Sequence, residues 1–152
     1  MKSDFIWVEK YRPNKLDDYV GNEHLKTKVA GYIQTGDVPH LLLYGKAGTG
    51  KTTLIGYLRE IISGNVVVVA PTGVAALQVK GVTIHSFCRL PPRLIFPEED
   101  IKPLRDKRLY KDIRLLIIDE ISMVRADVVD AMDLFIRENG PQKGKPFGGI
   151  QV

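Results

Sequence analysis

A glycine-rich loop at residues 45–52, GKAGTGKT, constrains the fold of this chain more than any other stretch. It matches the pattern G-x-x-x-x-G-K-[ST], whose glycines let the backbone turn tightly so that its N–H groups point at phosphate oxygens. An apolar run precedes the loop and an amphipathic run follows it. This order predicts a strand, a loop and a helix whose positive N-terminal end faces the same phosphates. The stretch therefore predicts a binding site for a nucleoside triphosphate.

Two side chains of the loop have different predicted roles. Lys51 would reach the β- and γ-phosphates of ATP, and the Thr52 hydroxyl would hold Mg²⁺. The predicted nucleotide contacts are Gly45, Lys46, Ala47, Gly48, Thr49, Gly50, Lys51, Thr52 and Thr53. The alternative is a chance glycine-rich turn, and the predicted strand and helix on either side of the loop argue against it.

Three apolar runs, at residues 40–45, 65–71 and 114–120, predict buried parallel strands. Helical patterns lie around them, and their apolar positions are Leu25, Val29 and Ile33, then Leu54, Leu58, Ile61 and Ile62, then Val128, Met132, Phe135 and Ile136. Strands that alternate with helices predict an α/β fold, a P-loop NTPase core with a parallel sheet flanked by helices. The stretch 89–103 contains four prolines and is expected to be irregular.

An acidic pair, Asp119 and Glu120, stands at the carboxyl end of the third predicted strand. Ligands of open α/β sheets bind at this end of the strands. We expect Asp119 to hold Mg²⁺ through water and Glu120 to orient and deprotonate the attacking water, with Lys51 as the third catalytic residue. The alternative is an acidic pair that only caps a buried strand. The pair and the glycine loop together favour ATP hydrolysis.

The composition excludes several classes of protein. The sequence contains no run of 18 apolar residues, so no membrane span is predicted. The charged N-terminus lacks the apolar core of a signal peptide. Cys88 is the only cysteine, which fits a reducing, intracellular setting. The net charge is +4, and residues 102–114 carry six Lys or Arg against two Asp. That basic stretch is either a solvated helical face or a DNA contact.

The blocks VVVVAPTGVAALQVKGVTIHSFCRLPP, LLIIDEISMVRADVVDAMD and GKPFGGIQV, with the glycine loop, resemble the Pif-type, RecD-like DNA helicases of superfamily 1. The resemblance covers residues 45–152. It implies a RecA-like motor domain that couples ATP hydrolysis to 5′-to-3′ movement on single-stranded DNA in replication, repair or recombination.

This resemblance also implies DNA contacts at Pro71, Thr72, Gly73, His85, Ser86 and Phe87. A small hydroxyl and a bare backbone suit the approach of a phosphodiester. His85, Ser86 and Phe87 would contact or stack against an unpaired strand. The alternative is that Phe87 belongs to the core and His85 is merely hydrogen-bonded. Ser122 would link the nucleotide and DNA sites.

Residues 1–50 are similar to a second family, the small subunit of replication factor C, an AAA+ sliding-clamp loader. The segment WVEKYRPNKLDDYVGNEHLKTKVAGYIQTGDVPHLLLYG carries this resemblance. It implies an adenine pocket lined by Tyr11, Arg12, Pro13, Val20 and Gly21. It also implies a sliding clamp or other clamp-loader subunits as alternative partners.

These resemblances divide the chain into a clamp-loader-like segment, residues 1–38, and a P-loop core, residues 39–152. The changeover lies in or just after the glycine loop and is typical of a fused, recombined or misassembled gene, a built chimera, or a natural hybrid. The pattern of another strand begins just before Val152, and we expect the core to be a fragment. The function classes are a helicase motor associated with the nucleoid or nucleus, a clamp-loader subunit, and a truncated ATP-binding module without motor activity.

Overall fold

The computed structural model describes residues 23–35, 39–45, 51–62 and 64–152. The elements in chain order are α1 (Glu23–Thr35), α2 (Lys51–Ile61), β1 (Asn65–Ala70), α3 (Gly73–Gln78), β2 (Val82–Thr83), α4 (Ile84–Cys88), α5 (Pro97–Asp100), α6 (Arg108–Lys111), β3 (Ile113–Ile118), a 3-10 helix (Ile121–Met123), α7 (Ala126–Asn139) and a second 3-10 helix (Pro146–Gly149). They form two compact units. The first is made of α1, α2 and residues 42–45, and the second of residues 39–41 and 64–152. The domain boundary expected at residue 38 stays a prediction.

A three-stranded parallel sheet organises the second unit, in the order β2-β1-β3. The sequence NVVVVA of β1 is rich in β-branched residues, which pack well in strands covered on both faces. Val69 of β1 pairs with Ile118 on one side and with Val82 on the other, and Val69 is fully buried. The predicted strands at 65–71 and 114–120 are confirmed, and the fold is the expected α/β class.

Helix α7 supplies much of the core of the second unit. Its four predicted apolar positions, Val128, Met132, Phe135 and Ile136, are all buried. The Phe135 ring meets the Tyr110 ring edge-on with the centroids 5.2 Å apart. The helical spacing of these residues places them on one stripe, which confirms the predicted orientation of the helix.

The helices predicted in the first unit are also confirmed. Val29 of α1 is buried, as are Leu54, Ile55 and Leu58 of α2. Among the described helices, none combines the length and the apolar character that crossing a bilayer requires.

The strand predicted at residues 40–45 is wrong, because the structure assigns no strand to residues 39–45. Leu42 and Tyr44 are 74% and 92% exposed. The backbone pairing found for this segment is one hydrogen bond, from Leu41 N to Val152 O at 3.3 Å. A strand needs a continuous ladder of such bonds, so a single bond does not make this apolar run a strand.

Sequence patterns also gave no sign of β2, because two residues are too few for a period to be recognised. The stretch 89–103 is mostly irregular, as expected, apart from the four residues of α5. Arg93 and Asp100 form an ion pair across it, at 2.7 Å between Nη2 and Oδ1, and Asp100 also accepts a hydrogen bond from Phe96 N. These bonds lower the pKa of Asp100, with the Phe96 amide as the largest cause.

The C-terminal stretch is fastened to α7 and to β3. Asp133 Oδ1 accepts a hydrogen bond from Phe147 N at 2.6 Å, while Oδ2 pairs with Arg137. Gln151 forms an isolated parallel bridge with Leu115, and Leu116 N donates to Gln151 O at 2.8 Å. The end of the sequence is therefore paired with β3 by an isolated bridge, and no strand is assigned to it.

Gly81 should be intolerant of substitution, because it lies directly against β1. A Cβ atom at this position would stand 2.4 Å from Val68 O, closer than a carbon atom can approach without a backbone shift. We expect Gly81→Ala to lower the free energy of unfolding by about 1–3 kcal/mol, the usual cost of overpacking. Urea denaturation followed by circular dichroism measures the change.

The matched control is Gly56→Ala in α2, where a Cβ would meet nothing within 4 Å. Alanine is the better helix former by roughly 0.5–1 kcal/mol, so this variant should be as stable as the parent or more so. Equal unfolding midpoints for Gly81→Ala and the parent would show that β1 does not need the close approach at Gly81.

Candidate functional site

The carboxyl ends of the three parallel strands meet at one edge of the sheet, which we call the carboxyl edge. It is formed by residues 71–73 after β1, residues 84–86 after β2 and residues 119–120 after β3. The structure thereby brings together most of the predicted DNA-contacting residues and the predicted acidic pair. Adjacent strands are about 4.8 Å apart, so these three groups are close neighbours.

The acidic pair lies where β3 leaves the sheet. Asp119 is half-buried, and its backbone N–H donates to Val69 O at 2.9 Å, which fixes it beside the end of β1. Glu120 is exposed and adopts a left-handed backbone conformation, with φ 51° and ψ 42°. A non-glycine residue in this region costs about 1–2 kcal/mol, and such residues are enriched at functional sites.

Thr72 begins α3 at the end of β1. Its Oγ1 accepts a hydrogen bond from Ala75 N at 3.2 Å, which caps the helix, and its carbonyl accepts one from Ala76 N. The side chain is exposed, as is the backbone of Gly73, while Pro71 is half-buried. The predicted contact at Thr72 and Gly73 is therefore open to a ligand, although the Thr72 hydroxyl already has a structural partner.

Thr83 plays the same part at the end of β2. Its Oγ1 accepts from Ser86 N at 3.2 Å and caps α4, leaving Ser86 exposed and His85 half-buried. The sequence analysis missed this cap, although a threonine just before a short helix is the usual signal for one. Both segments predicted to contact DNA thus have the same local structure, a strand that ends at a threonine-capped helix.

Phe87 is placed differently from its neighbours. Only 6% of it is exposed, and its ring packs against the Tyr110 ring at a centroid distance of 5.2 Å. The Tyr110 hydroxyl donates to Phe87 O at 2.7 Å, and burial raises the pKa of that hydroxyl. This geometry agrees with the alternative that Phe87 is a core residue. Base stacking by Phe87 stays a prediction that the buried ring disfavours.

The described part of the glycine loop consists of its two ends. Lys51 is the first residue of α2, and its Nζ donates to Gly45 O at 2.6 Å. The Thr52 side chain is half-buried in the first turn of the same helix. The loop residues Lys46, Ala47, Gly48, Thr49 and Gly50 lie outside the described residues, and so do Tyr11, Arg12, Pro13, Val20 and Gly21 of the predicted adenine pocket. The nucleotide contacts of all these residues, and of Thr53, stay predictions.

The oxygen ligands predicted for Mg²⁺ are the Thr52 hydroxyl and the Asp119 carboxylate. Within the described ranges, no group of three or more His, Cys, Asp or Glu side chains is arranged to hold a metal ion. Mg²⁺ usually binds through one or two carboxylates together with the phosphates of a nucleotide. The donor chemistry therefore suits the ion that the sequence predicts.

Cys88 has no role in the site. It is buried at the end of α4, and burial raises the pKa of its thiol, so the thiol stays protonated and unreactive.

A family model described as PIF1-like helicase matches residues 23–152. The match begins earlier than residue 45, where the sequence analysis placed the start of the helicase resemblance. The ATP-dependent DNA helicase PIF1 of Saccharomyces cerevisiae is 35% identical over 159 residues, covering 91% of this chain and 18% of the relative. The chain thus spans less than a fifth of that relative's length.

A crystal structure of Pif1 helicase from Bacteroides in complex with ADP-AlF3 and ssDNA aligns with a TM-score of 0.72 and 39% identity. The alignment covers 86% of this chain and 30% of that one. The replication factor C small subunit of Methanoculleus marisnigri is 52% identical over 48 residues, 32% of this chain and 15% of that protein. Both resemblances found in the sequence are therefore confirmed.

Proposed function

This chain belongs to the PIF1-like helicase family, and from that membership we propose that it is part of a motor that hydrolyses ATP to move along single-stranded DNA. The relatives are much longer than this chain, so the activity proposed is that of a larger assembly of domains. The 5′-to-3′ direction and a role in replication, repair or recombination follow from the family resemblance, as does an intracellular place beside DNA.

The proposal rests on one observation, that the carboxyl edge holds both the predicted acidic pair and the residues predicted to contact DNA. The bond from Asp119 N to Val69 O joins the acidic pair to the end of β1, and Thr72 follows Val69 by three residues. A change at the hydrolytic pair would therefore reach a DNA-contact segment through one hydrogen bond and one strand end. This bond offers a route for coupling, and the coupling itself is a difference in DNA affinity between the states with and without nucleotide.

The proposed parts of the residues follow from their chemistry. Lys51 matches the charge of the β- and γ-phosphates, while Thr52 and Asp119 serve Mg²⁺. Glu120 is the base that accepts a proton from the attacking water. Thr72, Gly73, His85 and Ser86 are the proposed contacts to the DNA strand, because each of them reaches the surface of the carboxyl edge.

The second candidate is a clamp-loader subunit, and the 52% identity to a replication factor C small subunit favours it. In that case, nucleotide binding would control assembly with neighbouring subunits and a sliding clamp. The helicase family model covers 23–152, whereas this match covers only 48 residues, so the helicase is the stronger proposal. Pull-down with a purified sliding clamp, with and without ATP, distinguishes the two.

We expect Lys51→Ala to abolish binding of Mg²⁺–ATP. The motif directs one side-chain cation, Lys51, at the β- and γ-phosphates, so its loss leaves their charge poorly matched. Isothermal titration calorimetry measures the affinity. Lys28→Ala, which removes an exposed lysine of α1, is the control and should bind ATP like the parent. Equal affinities for the Lys51 variant and the parent would disprove the phosphate-loop assignment.

We expect Glu120→Gln to bind ATP normally and to lose hydrolysis. The amide can hydrogen-bond water but cannot accept its proton, which typically lowers the rate by about 10²- to 10⁴-fold. The measurement is the release of phosphate in a single turnover. If the 152-residue chain turns over too slowly, the same substitution is tested in a longer protein of the family. Glu138→Gln, far along α7, serves as the control. An unchanged rate in the Glu120 variant would mean that another group is the base.

We expect weak binding of single-stranded DNA that depends strongly on salt. Each phosphate contact should contribute about −0.7 to the slope of log K against log salt concentration. His85→Ala should weaken binding by about fivefold or more, the lower range for loss of a base contact. The exposed His24 of α1 provides the matched control, His24→Ala. Fluorescence anisotropy with labelled oligothymidine measures the affinities. Equal affinities for the two variants would mean that His85 is not a contact.

A further inference from the structure

Residues 102–114, KPLRDKRLYKDIR, form a basic segment that the proposed function does not use. It carries six Lys or Arg against two Asp, a net charge of +4, which equals the net charge of the whole chain. The other 139 residues are therefore neutral in sum. A positive charge concentrated in this way is the electrostatic mark of a surface for a polyanion.

The basic segment is held rigidly against the core of the second unit. Asn139, which is fully buried at the end of α7, accepts a hydrogen bond from Leu104 N at 2.8 Å and donates to Lys102 O at 3.4 Å. Lys107 Nζ donates to Glu138 O at 2.9 Å, and Tyr110 is buried with its hydroxyl bonded to the backbone of α4. The cations therefore stand on a fixed frame, which lowers the entropy lost when a ligand binds.

The ion pairs of the basic segment leave part of its charge available. Lys107 pairs with Glu138 and Arg108 with Asp106. Across the described chain, Arg105 and Lys111 are exposed and make no ion pair. The pair of Arg108 is itself exposed, so it is weak and can exchange Asp106 for another anion.

The basic segment lies at the end of the sheet opposite to the acidic pair. Lys111 ends α6 and is followed after one residue by Ile113, the first residue of β3, whereas Asp119 follows the last residue of that strand. The six residues of β3 span about 20 Å. The basic segment and the acidic pair thus stand at opposite ends of β3, although Tyr110 of the segment also contacts α4, the helix that carries His85 and Ser86.

We propose that the basic segment is a second DNA-binding surface, which holds the phosphate backbone without recognising bases. Exposed guanidinium and ammonium groups match phosphate oxygens, and they fix the position of DNA rather than its sequence. The one aromatic residue of the segment, Tyr110, is buried, so no aromatic ring of the segment is available to stack on a base. This inference rests on the proposed function only in taking DNA as the polyanion.

The test is the double variant Arg105→Glu with Lys111→Glu in the complete 152-residue chain. Its control is Lys28→Glu with Arg59→Glu, which changes the net charge equally but alters α1 and α2. Anisotropy titrations use labelled oligothymidine and a labelled duplex of mixed sequence, each at several salt concentrations. Thermal unfolding by circular dichroism checks both proteins, and Arg105→Gln with Lys111→Gln replaces the glutamate variant if that variant is unfolded.

We expect the Arg105/Lys111 variant to lose about tenfold or more in affinity, with a salt slope smaller by about 1.4 for the single strand, the loss of two contacts. The control should lose much less. An equal loss in both variants, or no loss in the first, would overturn the inference. A loss with oligothymidine only assigns the surface to the single strand, and a loss with the duplex assigns it to the duplex; either supports the proposal.

The His85→Ala variant separates this inference from the proposed function. If His85→Ala binds DNA normally and the Arg105/Lys111 variant does not, the basic segment is a DNA surface and the contact at the carboxyl edge is wrong. If the opposite holds, the carboxyl edge binds DNA and the basic segment does not.

Discussion

The second unit depends on β1, the strand between β2 and β3. Its valines are bonded into two parallel ladders, and Val69 and Ala70 have no exposed surface. A strand in this position must have its backbone groups satisfied on both sides and apolar residues on both faces. The candidate site follows from this arrangement, because Thr72 and Asp119 are placed by the last residues of β1 and by the bond from Asp119 N to Val69 O. The loss of stability expected for Gly81→Ala has the same origin, because the added Cβ would crowd β1.

The carboxyl edge combines exposed polar groups with rigid supports. Thr72 and Thr83 use their hydroxyls to cap α3 and α4, so the backbone of each helix start is satisfied before any ligand arrives. On α4, the ring of Phe87 packs against the ring of Tyr110, and the Tyr110 hydroxyl donates to Phe87 O, so the helix is attached to the core. The residues proposed to contact DNA are therefore carried by elements that the core already orders. Binding energy need not be spent on ordering them.

The two surfaces proposed for DNA differ in their physical basis. The carboxyl edge has few charges and offers hydroxyls, an imidazole and close backbone approach. The basic segment offers cations on a backbone that Asn139 holds at Leu104, with Lys107 bonded to Glu138 at the end of α7. The first surface lies beside the proposed hydrolytic pair, whereas the second lies at the other end of β3.

The sequence alone determined the fold class, the strands β1 and β3 and the helices α1, α2 and α7, while the chemistry it predicts for the phosphate loop stays a prediction. Each of these depends on local periodicity or on a fixed spacing of residue types. Only the tertiary structure decided that the apolar run at 40–45 forms no strand, because a ladder depends on a partner distant in the chain. It also placed Phe87 in the core, gave Glu120 its left-handed backbone and joined Asn139 to the basic segment. These features arise from contacts between residues far apart in sequence, and no local pattern records such contacts.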